Sequence, residues 1–240
     1  MYLIIDVGNT RTKLAVFDRQ ELICSVVCTK VDLLSRLEEI LQKYTCTKAI
    51  LAAVGGLASP ERDAIHTMVP LLELNHTTVL PFHHQYATPD TLGVDRIALV
   101  SGAVTRFPGK PVLVIDAGTC ITYDFVDRDG IYRGGGISPG LQTRYKSLHT
   151  FTNNLPNLKA SMPKNLVGNT TQESMHAGVV YGLLFEIDGF IDSYALKNKD
   201  LTIVLTGGDA NFLSDKLKNS IFANPNLLLE GLNSILTHNL

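Results

Sequence analysis

Cysteine is scarce and unpaired in this sequence. Cys24, Cys28, Cys46 and Cys120 form no CxxC pair, and no histidine cluster accompanies them, which argues against a zinc site and more strongly against a disulfide framework. Long apolar runs are missing too: none approaches the roughly 18 residues that a membrane span needs. Charge of one sign does not dominate. Lys and Arg number 21 against 23 Asp and Glu, a net charge of −2, and the pI is about 6.4. Bulk attraction to nucleic acid or to an anionic membrane is thereby excluded. No basic segment precedes the first apolar run, and Asp6 interrupts that run, so no signal peptide is expected. A cytoplasmic protein of enzyme size, with no nucleic-acid and no membrane partner, is the resulting expectation.

What the chain does hold is an internal echo. Leu3-Ile4-Ile5-Asp6-Val7-Gly8-Asn9-Thr10 returns as Leu113-Val114-Ile115-Asp116-Ala117-Gly118-Thr119. Each is a β-branched apolar run, which reads as a strand buried on both faces. Each breaks at an Asp, an apolar residue and a Gly, then continues into a second strand-like run at 12–17 or 121–126. The unit is a hairpin whose turn carries a carboxylate, a glycine and a hydroxyl. Backbone N–H groups in such a turn form an anion-binding concavity, and the carboxylate suits the cation that accompanies phosphate. One copy alone is ordinary hairpin chemistry. Two copies in matching context point to a phosphate ligand and to two similar halves, 1–108 and 109–240. Hydrophobic residues at 45% with 18% charged supply ample core for both.

Between the echoes, residues 21–27 read as a third strand and 31–44 as a helix. Residues 48–54 read as a strand ending in Gly55-Gly56. Ser59 is expected to cap a helix that has Pro60 at its first position and runs to Met68, and 77–80 reads as a further strand. A polar segment follows, His83-His84-Gln85-Tyr86, then Thr88-Pro89-Asp90-Thr91 and Gly93-Val94-Asp95-Arg96, ahead of a buried helix over 97–104. An Asp at a helix start is most often a cap. A cation beside it opposes the helix dipole, so Arg96 asks for another explanation. An Asp–Arg pair facing a polar pocket suits a small anionic substrate.

The second half reads similarly. Gly134-Gly135-Gly136 requires close backbone approach to a strand or to a ligand. Residues 141–148 read as a helix and 153–169 as a loop. A long apolar helix opens at Thr171-Gln172-Glu173 and runs to Tyr194. Its small residues Ala177, Gly178, Gly182 and Gly189 admit a neighbouring helix or subunit, or ordinary core packing. The strand at 201–205 ends in Thr206-Gly207-Gly208, another turn of the kind that approaches a nucleotide. The last helix is expected to close the second half.

In order along the chain, Asp6-Val7-Gly8-Asn9-Thr10, Tyr86-Ala87-Thr88-Pro89 with Gly93-Val94-Asp95-Arg96, Asp116-Ala117-Gly118-Thr119, Gly135-Gly136-Ile137-Ser138-Pro139-Gly140 and Thr206-Gly207-Gly208 resemble the motifs of the type III pantothenate kinase family. The likeness spans nearly the whole chain. The first motif alone recurs across the acetate and sugar kinase/Hsp70/actin superfamily, whereas the ordered set with GxDR is specific. The resemblance implies an α/β fold of two tandem ribonuclease H-like halves with ATP in the cleft between them. It implies transfer of the γ-phosphoryl group of ATP to the primary hydroxyl of pantothenate, giving 4'-phosphopantothenate in the first committed step towards coenzyme A.

Mg²⁺, a monovalent cation (K⁺ or NH₄⁺) and a homodimer with the pantothenate pocket near its interface are implied with it. Residue by residue, Asp95 becomes the general base. Asp6, Val7, Gly8, Asn9, Thr10, Arg11, Thr12 and Lys13 wrap the phosphates of ATP, with Asp6 near Mg²⁺. Asp116 holds the monovalent cation and Thr119 the ATP phosphates. Tyr86, Gly93, Val94, Asp95, Arg96 and Thr171 contact pantothenate, with Arg96 pairing with the pantothenate carboxylate; Thr170 beside Thr171 leaves that register open by one. Two alternatives stand beside this reading. Another small-molecule kinase of the superfamily would differ in the GxDR segment, and a non-catalytic regulatory relative would be expected to lose Asp95 or one turn Asp, all of which are present.

Overall fold

In the computed structural model, which describes residues 1–54 and 56–240, the first apolar run forms β1 (Tyr2–Val7), with Leu3, Ile4 and Ile5 wholly buried. A run with no polar alternation has no face to offer water and takes a central place. β2 (Thr12–Asp18) returns antiparallel beside it, setting Asp6 opposite Lys13 and Val7 opposite Thr12. β3 (Glu21–Cys28) alternates exposed and half-buried residues, as an edge strand does, and pairs antiparallel with β2. α1 (Leu33–Lys43) buries Leu33, Leu37 and Ile40 and leads to β4 (Lys48–Ala53), parallel to β1. α2 (Ser59–Met68) leads to β5 (Leu71–Glu73), parallel to β4. The sheet order is β3-β2-β1-β4-β5. The two-residue strand β6 (His83–His84) and the helix α3 (Val94–Arg106) complete this stretch.

The pattern then repeats. β7 (Val112–Ala117), β8 (Cys120–Val126) and β9 (Ile131–Pro139) form an antiparallel run. α4 (Leu141–Thr150), α5 (Thr171–His176) and α6 (Gly182–Ala195) precede β10 (Thr202–Thr206), which is parallel to β7. A π-turn over Ala177–Tyr181 joins α5 to α6. The short α7 (Ala210–Leu213) precedes β11 (Phe222–Ala223), parallel to β10. These five strands lie in the order β9-β8-β7-β10-β11, the order of the first sheet with the same parallel and antiparallel neighbours. The echo in sequence is an echo in topology. Packing divides the chain into two compact units, Met1–Pro108 with Asn226–Leu240, and Gly109–Pro225.

That division differs from the sequence reading, which kept residues 226–240 with the second half. The last helix, α8 (Leu227–His238), packs on α3 in the first unit. A Cβ on Gly231 would stand 1.8 Å from the Ala98 carbonyl oxygen, and one on Gly102 2.5 Å from that of Leu227. Small residues on both helices let the backbones touch, and the stripe Leu227, Leu232, Ile235 and Leu236 is buried behind them.

Two local expectations also change. The fifth strand is Leu71–Glu73, not 77–80, because Asn75 folds the chain back on itself: its Oδ1 accepts from the Thr77 N–H at 2.8 Å and its N–H donates to Thr78 Oγ1 at 3.1 Å. Ser59 is the first helical residue rather than the cap, with Pro60 second; the Glu61 carboxylate instead accepts the Ala58 N–H at 2.9 Å. The expected Gly55-Gly56 end of β4 falls partly outside the description, since Gly55 lies outside the described residues. In the triple glycine, Gly135 is pressed against another strand: a Cβ there would stand 1.5 Å from the Tyr123 carbonyl oxygen. Among the described residues no helix is long and apolar enough to cross a membrane.

Candidate active site

In the first unit, the hairpin β1–β2 sorts the segment 6–13 by face. Val7 and Thr12 are wholly buried, on the face where Leu14 and Val16 pack with Leu33 and Leu37. The Thr12 side chain therefore belongs to the core, so only its backbone is left to face a phosphate, and its hydroxyl meets no hydrogen-bond partner among the described residues. Asp6 and Lys13 share the opposite face as a cross-strand pair. Gly8, Asn9, Thr10 and Arg11 form the turn, closed by the Gly8 N–H donating to the Arg11 carbonyl at 3.0 Å, with Asn9, Thr10 and Arg11 exposed. An exposed turn of this kind keeps its remaining N–H and hydroxyl donors available to an anion.

The same unit builds the Gly93-Val94-Asp95-Arg96 segment. Gly93 is the N-cap residue of α3, and Val94, Asp95 and Arg96 form its first turn. Asp95 is half-buried and its Oδ1 accepts the Arg96 N–H at 2.8 Å, one of the donors that a helix start leaves unsatisfied. Oδ2 makes no hydrogen bond among the described residues, so capping engages only half of the carboxylate. Arg96 is 5% exposed. Its guanidinium lies over the Tyr86 ring, 5.6 Å from the centroid, and Nη1 donates to the Tyr86 hydroxyl at 3.4 Å. A buried cation costs desolvation, and stacking on an aromatic face with a hydroxyl acceptor offsets part of that cost. The structure thus brings Tyr86 to the start of α3, beside Gly93, Val94, Asp95 and Arg96.

In the second unit, three turns converge at the end of β7. Asp116 is half-buried, Ala117 buried and Thr119 exposed. Gly207 follows β10 with φ +96°, a conformation that L side chains rarely adopt, and a Cβ there would stand 2.4 Å from both Ala117 O and Asp116 Oδ1. The Asp209 N–H donates to the Ala117 carbonyl at 2.9 Å. From the other side Gly140 closes in: its N–H donates to the Thr119 carbonyl at 3.0 Å, and a Cβ would stand 2.0 Å from the Gly118 oxygen. The Thr143 hydroxyl donates to that same Thr119 carbonyl at 2.7 Å. Asp116 and, in the first unit, Asp6 are carboxylates, the ligand type that a hard cation takes.

Asp209 was not singled out from the sequence, where it reads only as the residue after a Gly-Gly turn. Burial lifts its carboxyl above the usual range. Arg144 was also missed; the signal available was a cation in the first turn of a helix, where it opposes the dipole. A cavity of about 780 Å³ in this unit is lined by Arg144, Leu148, Leu155, Thr170, Thr171 and Met175, among others. At its rim the Thr170 hydroxyl caps α5 by accepting the Glu173 N–H at 3.2 Å, while Thr171 is the first helical residue and exposed.

Comparison with known proteins bears on these sites. The sequence model of the family described as type III pantothenate kinase matches residues 2–193. A type III pantothenate kinase of Christiangramia forsetii is 50% identical over 240 residues, covering 100% of this chain and 99% of that one. A solved structure from Campylobacter jejuni, assigned to the Baf family of transcriptional activators, is similar with a TM-score of 0.62 at 21% identity, covering 99% of this chain and 98% of that one. A glucokinase from an Antarctic psychrotroph has a TM-score of 0.56 at 13% identity, covering 100% and 99%. At those identities the two structures share the fold alone, that of the two-domain actin-like and sugar kinases.

Proposed function

The chain belongs to the type III pantothenate kinase family, and we propose that Asp95 is the general base of its reaction. It phosphorylates pantothenate in coenzyme A biosynthesis, with ATP as phosphoryl donor. In the proposed step the free Oδ2 of Asp95 accepts the proton of the pantothenate primary hydroxyl as that oxygen attacks the γ-phosphorus. The bond to the β-phosphate oxygen breaks and ADP leaves. Phosphoryl transfer asks mostly for positioning and charge neutralisation, with proton transfer second. The exposed turn at Gly8, Asn9, Thr10 and Arg11 supplies donors to the phosphates and Lys13 a point charge; Thr119 plays the matching part in the second unit. Arg96, held over Tyr86, pairs with the pantothenate carboxylate.

Asp116 would hold a monovalent cation, K⁺ or NH₄⁺, and Asp6 would help to hold Mg²⁺, directly or through water; when bound, both ions would neutralise phosphate charge. The observation that carries the base assignment is the Asp95 carboxylate at the start of α3, half engaged in capping and beside a buried cation. Asp95→Asn in a coupled assay with ATP and pantothenate is expected to lower kcat by about 10²-fold or more with pantothenate affinity within a few fold. Near-normal turnover would remove Asp95 from the role.

The homodimer belongs to the same proposal. On α5, the π-turn and α6, a Cβ added at Gly178, Gly182 or Gly189 would meet nothing within 4 Å, and Phe185 is 60% exposed on the same stretch, stacked with Tyr181. An apolar helix face this open supports a second copy seated on it, near the cavity that Thr171 lines. Cytoplasmic location is part of the reading as well, and four unpaired cysteines suit a reducing compartment.

A further inference from the structure

Arg144 sits in the first turn of α4, and its guanidinium is engaged on three sides. Nε donates to the Pro139 carbonyl at 2.8 Å, and Nη2 donates to Ser138 Oγ at 2.9 Å and pairs with Glu186 Oε2 at 2.5 Å. Glu186 comes from α6, and its other oxygen accepts the Tyr123 hydroxyl at 2.9 Å. Tyr123 is wholly buried on β8, with its ring stacked on Phe190 of α6 at 3.9 Å and 7°. Burial alone would lift the Glu186 carboxyl, but bonds from Arg144, Ser138 and Tyr123 hold it below the usual carboxylate range. The carboxylate is therefore charged throughout the neutral range, and the ion pair, about one-fifth exposed on each side, stays made.

What the pair grips is the end of β9, Ser138 and Pro139, and the Gly140 that follows. Gly140 lies flush on the Gly118–Thr119 turn, and Gly140 N–H and Thr143 Oγ1 both hold the Thr119 carbonyl. That carbonyl fixes the peptide plane after Thr119 and with it the turn that presents the Thr119 hydroxyl. A cation in the first turn of a helix weakens the helix, and this one makes no cap; its side-chain bonds all run to the end of β9 and to α6. We propose that Arg144 and Glu186 are positioning residues for ATP, holding the Gly118–Thr119 turn in its phosphate-accepting geometry through residues 138–140. The inference rests on the reading of Thr119 as a phosphate contact.

The test measures KM for ATP, KM for pantothenate and kcat, together with nucleotide affinity by calorimetry and the melting temperature. Arg144→Met and Glu186→Gln are expected to raise the ATP KM about tenfold, the scale on which outer-layer partners act at ligand sites, with pantothenate KM within twofold. Ser138→Ala, which removes the bonds its hydroxyl makes with Arg144 and Glu186 but leaves the ion pair, is expected to raise it two- to threefold. Arg144→Lys should recover part of the loss. Melting temperatures that fall while ATP KM stays within twofold in all variants would show a strut and overturn the proposal. A rise confined to pantothenate KM would also overturn it. Wild-type protein that binds no nucleotide would instead remove the phosphate reading of Thr119 itself, so the two failures are distinguishable.

Discussion

Gly93→Ala isolates the placement of the Asp95 carboxylate from its chemistry. Gly93 has φ −59° and ψ 136°, open to any residue, so backbone strain does not explain the glycine. Space does: a Cβ built there would stand 2.4 Å from Asp95 Oδ1. An ordinary C···O contact is about 3.3 Å, so the carboxylate must retreat by about 0.9 Å or rotate, and its 2.8 Å bond from the Arg96 N–H goes with it. Misplacement of a reacting group by about 1 Å costs about 10²-fold in rate. The expected result is a fall of that order in kcat, read in the coupled ATP–pantothenate assay, with the ATP KM unchanged. Exchanging Gly for Ala at an N-cap costs stability of only about 1 kcal/mol, so the protein should stay folded in a thermal melt. A variant turning over within threefold of wild type would refute the reasoning, because the carboxylate would then work equally well from a displaced position.

Asp116→Asn should abolish the difference between K⁺ and Na⁺ in the same assay; wild-type indifference to the cation would contradict the assignment. Asp209→Asn should stabilise the protein at neutral pH. Burial raises the carboxyl's folded pKa, so its contribution is present below the unfolded pKa and lost as pH rises through the folded one; the gain in melting temperature should grow along that rise and vanish at pH 3. Gly231→Ala forces a Cβ to within 1.8 Å of the Ala98 carbonyl oxygen and is expected to cost about 3 kcal/mol, a drop of roughly 6–12 °C in melting temperature. Gly182→Trp fits the monomer, since nothing lies within 4 Å, and should shift the sedimentation coefficient to that of a monomer; an unchanged dimer would place the interface elsewhere.

Much of this architecture is legible because the apolar runs are local signals. Leu3, Ile4 and Ile5, and again Val112 to Ile115, carry no polar alternation, and a strand buried on both faces follows in each unit. The run at 77–80 has a similar local character, but Asn75 turns the backbone before it and the strand forms earlier, at Leu71–Glu73. Thr12 matched the motif, yet alternation along β2 sends its side chain into the core and only Lys13 to the side of Asp6. Partner choice between distant segments leaves no local trace. The stripe on α8 says that the helix is buried but not against what, and the pairing with α3 rests on Ala98, Gly102 and Gly231 meeting across more than a hundred residues. Arg144 was hidden for the same reason, since Glu186 lies 42 positions away.

The return of α8 to the first unit has a bearing on synthesis. The ribosome emits β1 to α3 first, but the helix that covers α3 emerges only after every strand of the second unit. The later-made unit can therefore finish folding before the earlier one. During that interval the helix bearing Asp95 stands with its apolar side uncovered, in need of a chaperone or of speed. A stop codon ahead of α8 would leave the Asp6 and Asp116 turns intact and still strip the support from beneath that carboxylate.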